Sequence, residues 1–114
     1  MTRIYKLISR EAWQAAVAAG RFDGAAVDLA DGFIHFSTAA QAAETGRRYF
    51  RGQKDLLVVG FEAETLGAAL RWEPSRGGDL FPHLYGPLDP ALAVETLTVE
   101  LDAEGAPMLE ALRP

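Results

Sequence analysis

A six-residue apolar run, Leu56 to Phe61 with Gly60 inside it, lies in the middle of this chain. The run is far shorter than the roughly 20 residues that a membrane-spanning helix needs. Its length and its content of Leu, Val and Phe are typical of a β-strand that is covered on both faces. The run therefore predicts the centre of a sheet with a packing layer on each side.

The composition agrees with one such domain. A chain of 114 residues, of which 49% are apolar and 24% charged, has the size and composition of a single folded domain. It contains no cysteine, which excludes disulfides, thiolate metal sites and a cysteine nucleophile. The first twenty residues lack the apolar block of a secretory signal. We expect a cytoplasmic protein without a membrane segment, with one domain over residues 1–101 and a short C-terminal tail over 102–114.

The charge distribution argues against duplex nucleic acid as a partner. The formal net charge is −5, and the acidic excess follows residue 88. Nucleic-acid binding depends on clustered Lys and Arg that release counterions. One basic cluster exists, Arg47, Arg48, Arg51 and Lys54. We interpret it as a solvated helix end that complements the helix dipole, and the alternative is contact with a phosphate-bearing ligand.

Caps, turns and alternating apolar residues predict the other elements. In chain order we expect a strand over 3–8, a helix from the Ser9 cap to Gly20, a turn-rich stretch over 22–32, a strand over 33–36, a helix from residue 39 with a Thr38–Gln41 capping box, a strand over 70–73, an edge strand or extended loop over 80–88, a helical turn over 89–93, a last strand over 94–101 and one turn around Met108 and Leu109. The residues expected to face inward include Trp13, Ala16, Val17, Leu97, Val99 and Leu101. The fold class is α+β, with small, strongly bent mixed or antiparallel sheets and two main helices.

Two histidines stand in apolar segments bounded by turns. Strand alternation places His35 and Ser37 on one face of the first segment, and His83 and Tyr85 on one face of the second. An imidazole on an apolar platform can orient a ligand or move a proton near neutral pH. The structural alternative is a buried histidine that bonds the backbone.

Glu73 is the third candidate, since a carboxylate can accept hydrogen bonds from ligand hydroxyls or stabilise a developing cation. The alternative for Glu73 is an ordinary ion pair with Arg71 at the sheet rim. His35, His83 and Glu73 are also the ligand types of a two-histidine, one-carboxylate metal site, but their spacing lacks a paired signature and we predict no metal. A hydrolase triad on Ser37 has no Gly-x-Ser-x-Gly motif to support it.

The segments Asp31-Gly-Phe-Ile-His-Phe-Ser37, Trp72-Glu73 and Phe81-Pro-His-Leu-Tyr-Gly-Pro87 resemble those of the bacterial family catalogued as domain of unknown function 952. The resemblance covers nearly the whole chain. The fold of that family is similar to ADP-ribosyltransferases, in particular the RNA 2′-phosphotransferase branch, which binds NAD in a cleft between two small bent sheets. This chain departs from the family at Lys6, where histidine is common, and a flexible point charge replaces an imidazole there.

The resemblance implies a cleft that binds a nucleotide, with NAD as a candidate cofactor, or another phosphate-bearing small molecule, and it leaves transfer activity as an open alternative. We take His35, Glu73 and His83 as candidate catalytic residues, Ser37 and Tyr85 as donors to a ligand, and Lys6 and Arg71 as cations that meet its negative charge. The alternative is a non-catalytic binding or interaction module that keeps the fold without the chemistry. The sequence leaves the oligomeric state open.

Overall fold

The computed structural model describes residues 2–114, which form an α+β fold with two antiparallel sheets. In chain order the elements are β1 (Arg3–Ser9), α1 (Arg10–Ala19), α2 (Ala26–Asp31), β2 (Ile34–His35), β3 (Ser37–Thr38), α3 (Ala39–Tyr49), β4 (Leu56–Glu62), β5 (Leu70–Pro74), β6 (Leu80–Leu84) and β7 (Ala93–Val99). Short 3-10 turns cover Ala63–Ala69, Arg76–Gly78 and Pro90–Leu92. Among the described residues, no helix has the length and apolar character needed to cross a bilayer.

The two main helices begin and end where the caps predict. The Ser9 side chain accepts from the backbone N–H of Ala12, and Gly20 ends α1 in the left-handed conformation that glycine tolerates best. At α3, Thr38 and Gln41 form the reciprocal capping box. These caps satisfy backbone donors that would otherwise be orphaned at the helix starts.

The apolar run in the middle of the chain is the centre of the larger sheet. That sheet has the strand order β3-β1-β4-β7, and all of β4 except its last residue is buried. One face packs against α1 and residues of the smaller sheet, around Phe61 and Trp13. The other face packs against α3 and the C-terminal tail, around Tyr5 and Leu109. The prediction of a strand covered from both sides is confirmed.

The smaller sheet has the order β2-β6-β5, and its strand β2 is followed directly along the chain by β3 of the larger sheet. The chain passes through the smaller sheet at β2 and enters the larger one at β3, with Phe36 between them. Of the strand predicted over residues 33–36, only Ile34–His35 is a strand, and the chain continues beyond the predicted range as β3 in the other sheet. This crossing places His35 directly opposite His83 on β6, whereas Ser37 pairs with Tyr5 on β1.

The stretches over residues 22–32 and 80–88 differ from their predictions. The turn-rich stretch over residues 22–32 contains the short helix α2, which Gly32 ends in the left-handed conformation. The segment over 80–88, expected at an edge because of its prolines, supplies the middle strand β6. Pro82 has no backbone N–H to donate, while its carbonyl accepts from the Phe36 N–H at 3.0 Å. A strand residue directs its N and O to the same side, so the missing donor of Pro82 faces the place where β2 ends.

Two residues expected to face inward are exposed. Val17 lies beside the narrow stripe of α1 that Trp13 and Ala16 fill. Leu97 lies on the edge strand β7, where Val99 is buried but Leu97 is not covered. The predicted turn around residues 108 and 109 is not helical, yet Leu109 is 2% exposed and belongs to the second core cluster.

Candidate functional site

A cleft of about 610 Å³ opens where the two sheets meet. Among the described residues, β3 pairs with β1 only at Ile4 and Tyr5, so the edge of β1 beyond Tyr5 is left open there. Residues that line the cleft come from six parts of the chain, and include Lys6, Val27, His35, Ser37, Tyr49, Arg76 and His83. A volume of this size is typical of small-molecule sites.

His83 is the most buried imidazole of the cleft, at 5% exposure. Its Nδ1 lies 2.8 Å from Glu73 Oε1, and its ring stacks on Phe33 with centroids 4.1 Å apart. Because a carboxylate only accepts, Nδ1 carries the proton and Nε2 of the neutral ring is an acceptor. This Nε2 has no hydrogen-bond partner among residues 2–114, yet it keeps contact with solvent. The strand β6 and the ring of Phe33 thus fix an unpaired acceptor in the cleft wall.

Glu73 is itself held by two donors. The Tyr85 hydroxyl donates to Glu73 Oε1 at 2.7 Å, the same oxygen that faces His83. The Tyr85 and His83 hydrogen bonds hold the pKa of the Glu73 carboxyl below its usual value. Glu73 therefore stays ionised near neutral pH and fixes the tautomer of His83.

His35 lies beside His83, with ring centroids 5.6 Å apart, but its nitrogens are both engaged. Nδ1 is 2.7 Å from Asp28 Oδ1 and Nε2 is 2.9 Å from Asp31 Oδ2. Each ring nitrogen of His35 thus faces a carboxylate acceptor. Both ring nitrogens of His35 are therefore bound within the protein, whereas Nε2 of His83 has no partner among residues 2–114.

Asp28 joins His35 to Lys6 in a buried network. The Lys6 ammonium lies 3.0 and 3.1 Å from the two Asp28 oxygens and donates to the His35 carbonyl at 2.9 Å. Burial alone would raise the pKa of the Asp28 carboxyl, but the His35 hydrogen bond and the Lys6 charge outweigh burial and hold that pKa well below its usual value. The donors of Lys6 are thus committed within the protein.

The structure brings some of the predicted site residues together and separates others. His35, His83, Ser37 and Lys6 all line the cleft, and the Ser37 hydroxyl lies 3.1 Å from the Thr45 hydroxyl. The other three are not among the residues that line the cleft. Glu73 and Tyr85 reach it through His83, and the Arg71 guanidinium lies 4.8 Å from the centroid of the Tyr85 ring.

Three further residues of the site did not stand out in the sequence. Asp28 and Asp31 precede the first histidine on a helix that was expected to be a turn, and Arg76 lies in a loop that the sequence marks only by its glycines. A short helix with carboxylates three residues apart, just before a His-containing strand, is the one signal that points to the first two. Nothing in the sequence distinguishes Arg76 from the other arginines.

The residues of the cleft do not form a metal centre. Within residues 2–114, no group of three or more His, Asp and Glu side chains has an arrangement that could hold a metal ion. Glu73 is bound by His83 Nδ1 and the Tyr85 hydroxyl, so its contact to His83 is a hydrogen bond rather than shared ligation.

Comparison with known proteins gives a family and a fold. The family model described as "Protein of unknown function (DUF952)" matches residues 7–96. The crystal structure of protein CC0527 from Caulobacter crescentus is 55% identical, with a TM-score of 0.93 and 95% of each chain covered. Its solution NMR structure has a TM-score of 0.86 at 55% identity, covering 96% of this chain and 94% of that one. No curated protein sequence matches this chain significantly.

Proposed function

The chain belongs to the family described as Protein of unknown function (DUF952), and on that premise we propose that its cleft binds a nucleotide, such as NAD or a part of it, with a ribose hydroxyl donating to His83. The observation that carries the proposal is the unpaired Nε2 of a residue that is 95% buried beside a cavity of about 610 Å³. Because Nε2 keeps contact with solvent, water can donate to it in the free protein, and a ligand that displaces this water must supply a donor in its place.

The surroundings of His83 support a ligand with a flat, partly apolar body. Tyr49 and Val27 line the cleft and are 67% and 56% exposed, so the cleft offers apolar surface that no other part of the described chain covers. A nucleoside combines an aromatic base with hydroxyl donors, which matches apolar walls around one buried acceptor. The similarity expected from the sequence between the fold of this family and that of ADP-ribosyltransferases supports the same ligand class.

The positions of the carboxylates favour binding of the nucleotide without a transfer reaction. Cleavage of a nicotinamide bond passes through an oxocarbenium-like state, which a carboxylate beside the ribose stabilises. Glu73 is hydrogen-bonded to His83 Nδ1, and Asp31 is hydrogen-bonded to His35 Nε2. The cleft can therefore form a hydrogen bond to a ribose, but it does not place a free carboxylate next to that ribose.

The test is isothermal titration of the full chain with AMP, ADP-ribose and NAD. We expect binding of at least one of them, and a loss of about fivefold or more in affinity in His83→Asn, the value of a hydrogen bond to a buried group. Asn keeps a donor near the position of Nδ1 for Glu73 but lacks Nε2, so it removes the proposed contact with little change to the Glu73 bond. Assay of nicotinamide release from NAD tests transfer separately.

Lys54→Gln is the control, since this exposed residue belongs to the basic cluster at the end of α3 and does not line the cleft. Its affinity should equal that of the wild type, and the unfolding midpoint without ligand must be similar in all variants. The absence of binding at ligand concentrations well above millimolar, or equal affinity in His83→Asn, would contradict the proposal.

A further inference from the structure

The two cations that the sequence predicts to contact a ligand phosphate, Lys6 and Arg71, contact other groups of the protein instead. Lys6 is 5% exposed and bonds both Asp28 oxygens and the His35 carbonyl. Arg71 packs over Tyr85 and is not among the residues that line the cleft. A phosphate held near His83 would therefore meet neither of them.

Arg76 is the cation that remains in the cleft wall. It begins the 3-10 turn before β6, and its side chain is only 16% exposed. The guanidinium carbon lies 4.9 Å from the centroid of the Phe81 ring and 5.9 Å from that of Tyr49. Aromatic faces on which a guanidinium packs hold its plane and exclude water, so its remaining donors are presented in a fixed geometry.

The hydrogen bonds of Arg76 leave part of its donor set free. Nη2 donates to the Thr45 hydroxyl at 3.0 Å, and Nε lies 3.0 Å from Glu44 Oε2 in an ion pair. Nη1 has no hydrogen-bond partner in the described part of the chain, and it keeps contact with solvent. Glu44 also faces Arg48 at 3.6 Å, so its charge is divided between two arginines.

The position of Arg76 links the cleft to a second, smaller groove. Arg76 and Phe81 line both, and the groove of about 320 Å³ also includes Arg47, Glu44 and Asp79. Two carboxylates and two guanidiniums leave the groove without excess positive charge. A phosphate at this junction would therefore be held by Arg76 itself, by the planar fork that suits phosphate oxygens, rather than by a diffuse positive field.

We propose that Arg76 is the phosphate anchor of the cleft, so that the ligand is a nucleoside phosphate rather than a free nucleoside. The proposal rests on the proposed nucleotide-binding function and names the residue that recognises the phosphate. Nη1 donates to a phosphate oxygen at the mouth of the cleft, while His83 accepts from the ribose farther inside. Tyr49 and Phe81 keep the guanidinium in place between the two.

Titration of AMP and adenosine in parallel tests this assignment. In the wild type we expect AMP to bind about tenfold more tightly than adenosine or better, the value of a charge-assisted hydrogen bond. Arg76→Gln should erase this difference by weakening AMP alone, and Arg76→Lys should retain part of it, since Lys keeps the charge but not the planar fork. Arg48→Gln is the matched control, because Arg48 pairs with the same Glu44 but does not line the cleft.

The outcomes separate the two proposals. Equal binding of AMP and adenosine in the wild type, or a difference that survives in Arg76→Gln, overturns the role of Arg76 and leaves nucleotide binding intact. Binding of neither ligand overturns both. Unfolding midpoints without ligand must agree between Arg76→Gln and Arg48→Gln, and if Gln destabilises the fold, the Arg76→Lys variant still supports or overturns the assignment through its ratio of the two affinities.

Discussion

Asp28 lies 1% exposed between the side chains of Lys6 and His35. It accepts from the Lys6 ammonium, from the ring and backbone N–H of His35, and from the backbone N–H of Ala25. One carboxylate thereby ties β1, the start of α2 and β2 together. Burial of a charge carries a desolvation cost, which these donors offset. Removal of one partner leaves part of that cost uncompensated and therefore destabilises the fold.

Replacement of Asp28 by Asn should therefore destabilise the protein strongly. The change leaves the Lys6 ammonium buried without a counter-charge, which typically costs about 3–5 kcal/mol of unfolding free energy. Asp31→Asn is the control, because Asp31 binds the other nitrogen of His35 but its side chain is 49% exposed. An exposed pair of this kind is worth less than about 1 kcal/mol. Urea unfolding at neutral pH measures both, and equal losses would contradict the role of burial.

The same carboxylate predicts how stability depends on pH. The pKa of Asp28 is lower in the folded chain than in the unfolded one, so its contribution is complete above the unfolded value of about 4 and fades as the pH falls below it. The gap in unfolding free energy between wild type and Asp28→Asn should thus narrow as the pH falls from about 5 toward 3. A gap that stays constant down to pH 3 would show that Asp28 is not linked to folding in this way.

The residues of the site divide into those that local patterns reveal and those that they do not. His35 and His83 were found because each is a rare polar residue in an apolar strand bounded by turns, and alternation gives its face. Asp28 and Arg76 were missed because their roles depend on residues far along the chain, Lys6 in one case and Tyr49 and Phe81 in the other. No local pattern marks one acidic residue among 16 as the buried one.

At the scale of elements, α3 and the C-terminal tail pack as a pair. A Cβ placed on Gly46 would lie 2.9 Å from Leu109 Cδ1 and 3.2 Å from Pro107 Cγ. Leu109 is 2% exposed, and the Tyr5 hydroxyl donates to the Arg113 carbonyl at 2.6 Å. The absence of a side chain at residue 46 therefore lets the tail cover the second core cluster, although the family match ends at residue 96.

This contact predicts coupled mutations. Leu109→Ala should cost about 2–5 kcal/mol of unfolding free energy because it opens a cavity under the tail. Gly46→Ala should cost about 1–3 kcal/mol in the wild type through overpacking. In the Leu109→Ala background the same change should be much less harmful, since the vacated space accepts the methyl group and Ala favours the helix.

Chemical unfolding of the four proteins of this cycle measures the coupling. Leu112→Ala is the matched control, because Leu112 packs against the same core cluster but is not among the atoms closest to Gly46. Gly46→Ala should cost the same with and without the Leu112 change. Additive effects of Gly46→Ala and Leu109→Ala would mean that the tail does not press on α3 at this point.

The boundaries of the elements were predictable to different degrees for physical reasons. Both main helices were located by caps, which are local chemistry, and β4 by its apolar run. The position of β6 was not predictable, since Pro82 is compatible with a central strand only where the neighbouring β2 stops after two residues. Strand order is a property of pairing between distant segments, and a single strand does not encode its neighbour.

At the scale of the whole molecule, the cleft exists because one chain segment serves two sheets. The chain leaves the smaller sheet after His35 and joins the larger sheet at Ser37, so the sheets diverge from a shared corner. The larger sheet contributes Lys6 and Ser37 to the cleft, and the smaller contributes His35 and His83. Since α2, α3 and the turn at Arg76 close the sides, any ligand in the cleft contacts segments that are far apart in sequence.

Hydrogen exchange should reveal this arrangement when a ligand binds. A ligand that binds only the native state raises the free energy of every opening that breaks its site. With saturating AMP we expect slower exchange in three separated segments, 25–37, 45–50 and 75–83, which line the cleft from both sheets and α3. The strand β7, over 93–99, forms the edge of the larger sheet opposite β3. We expect it to exchange by local fraying, so its exchange rate should not change. Slower exchange confined to one of the three segments, or centred on β7, would place the ligand outside the corner where the two sheets meet.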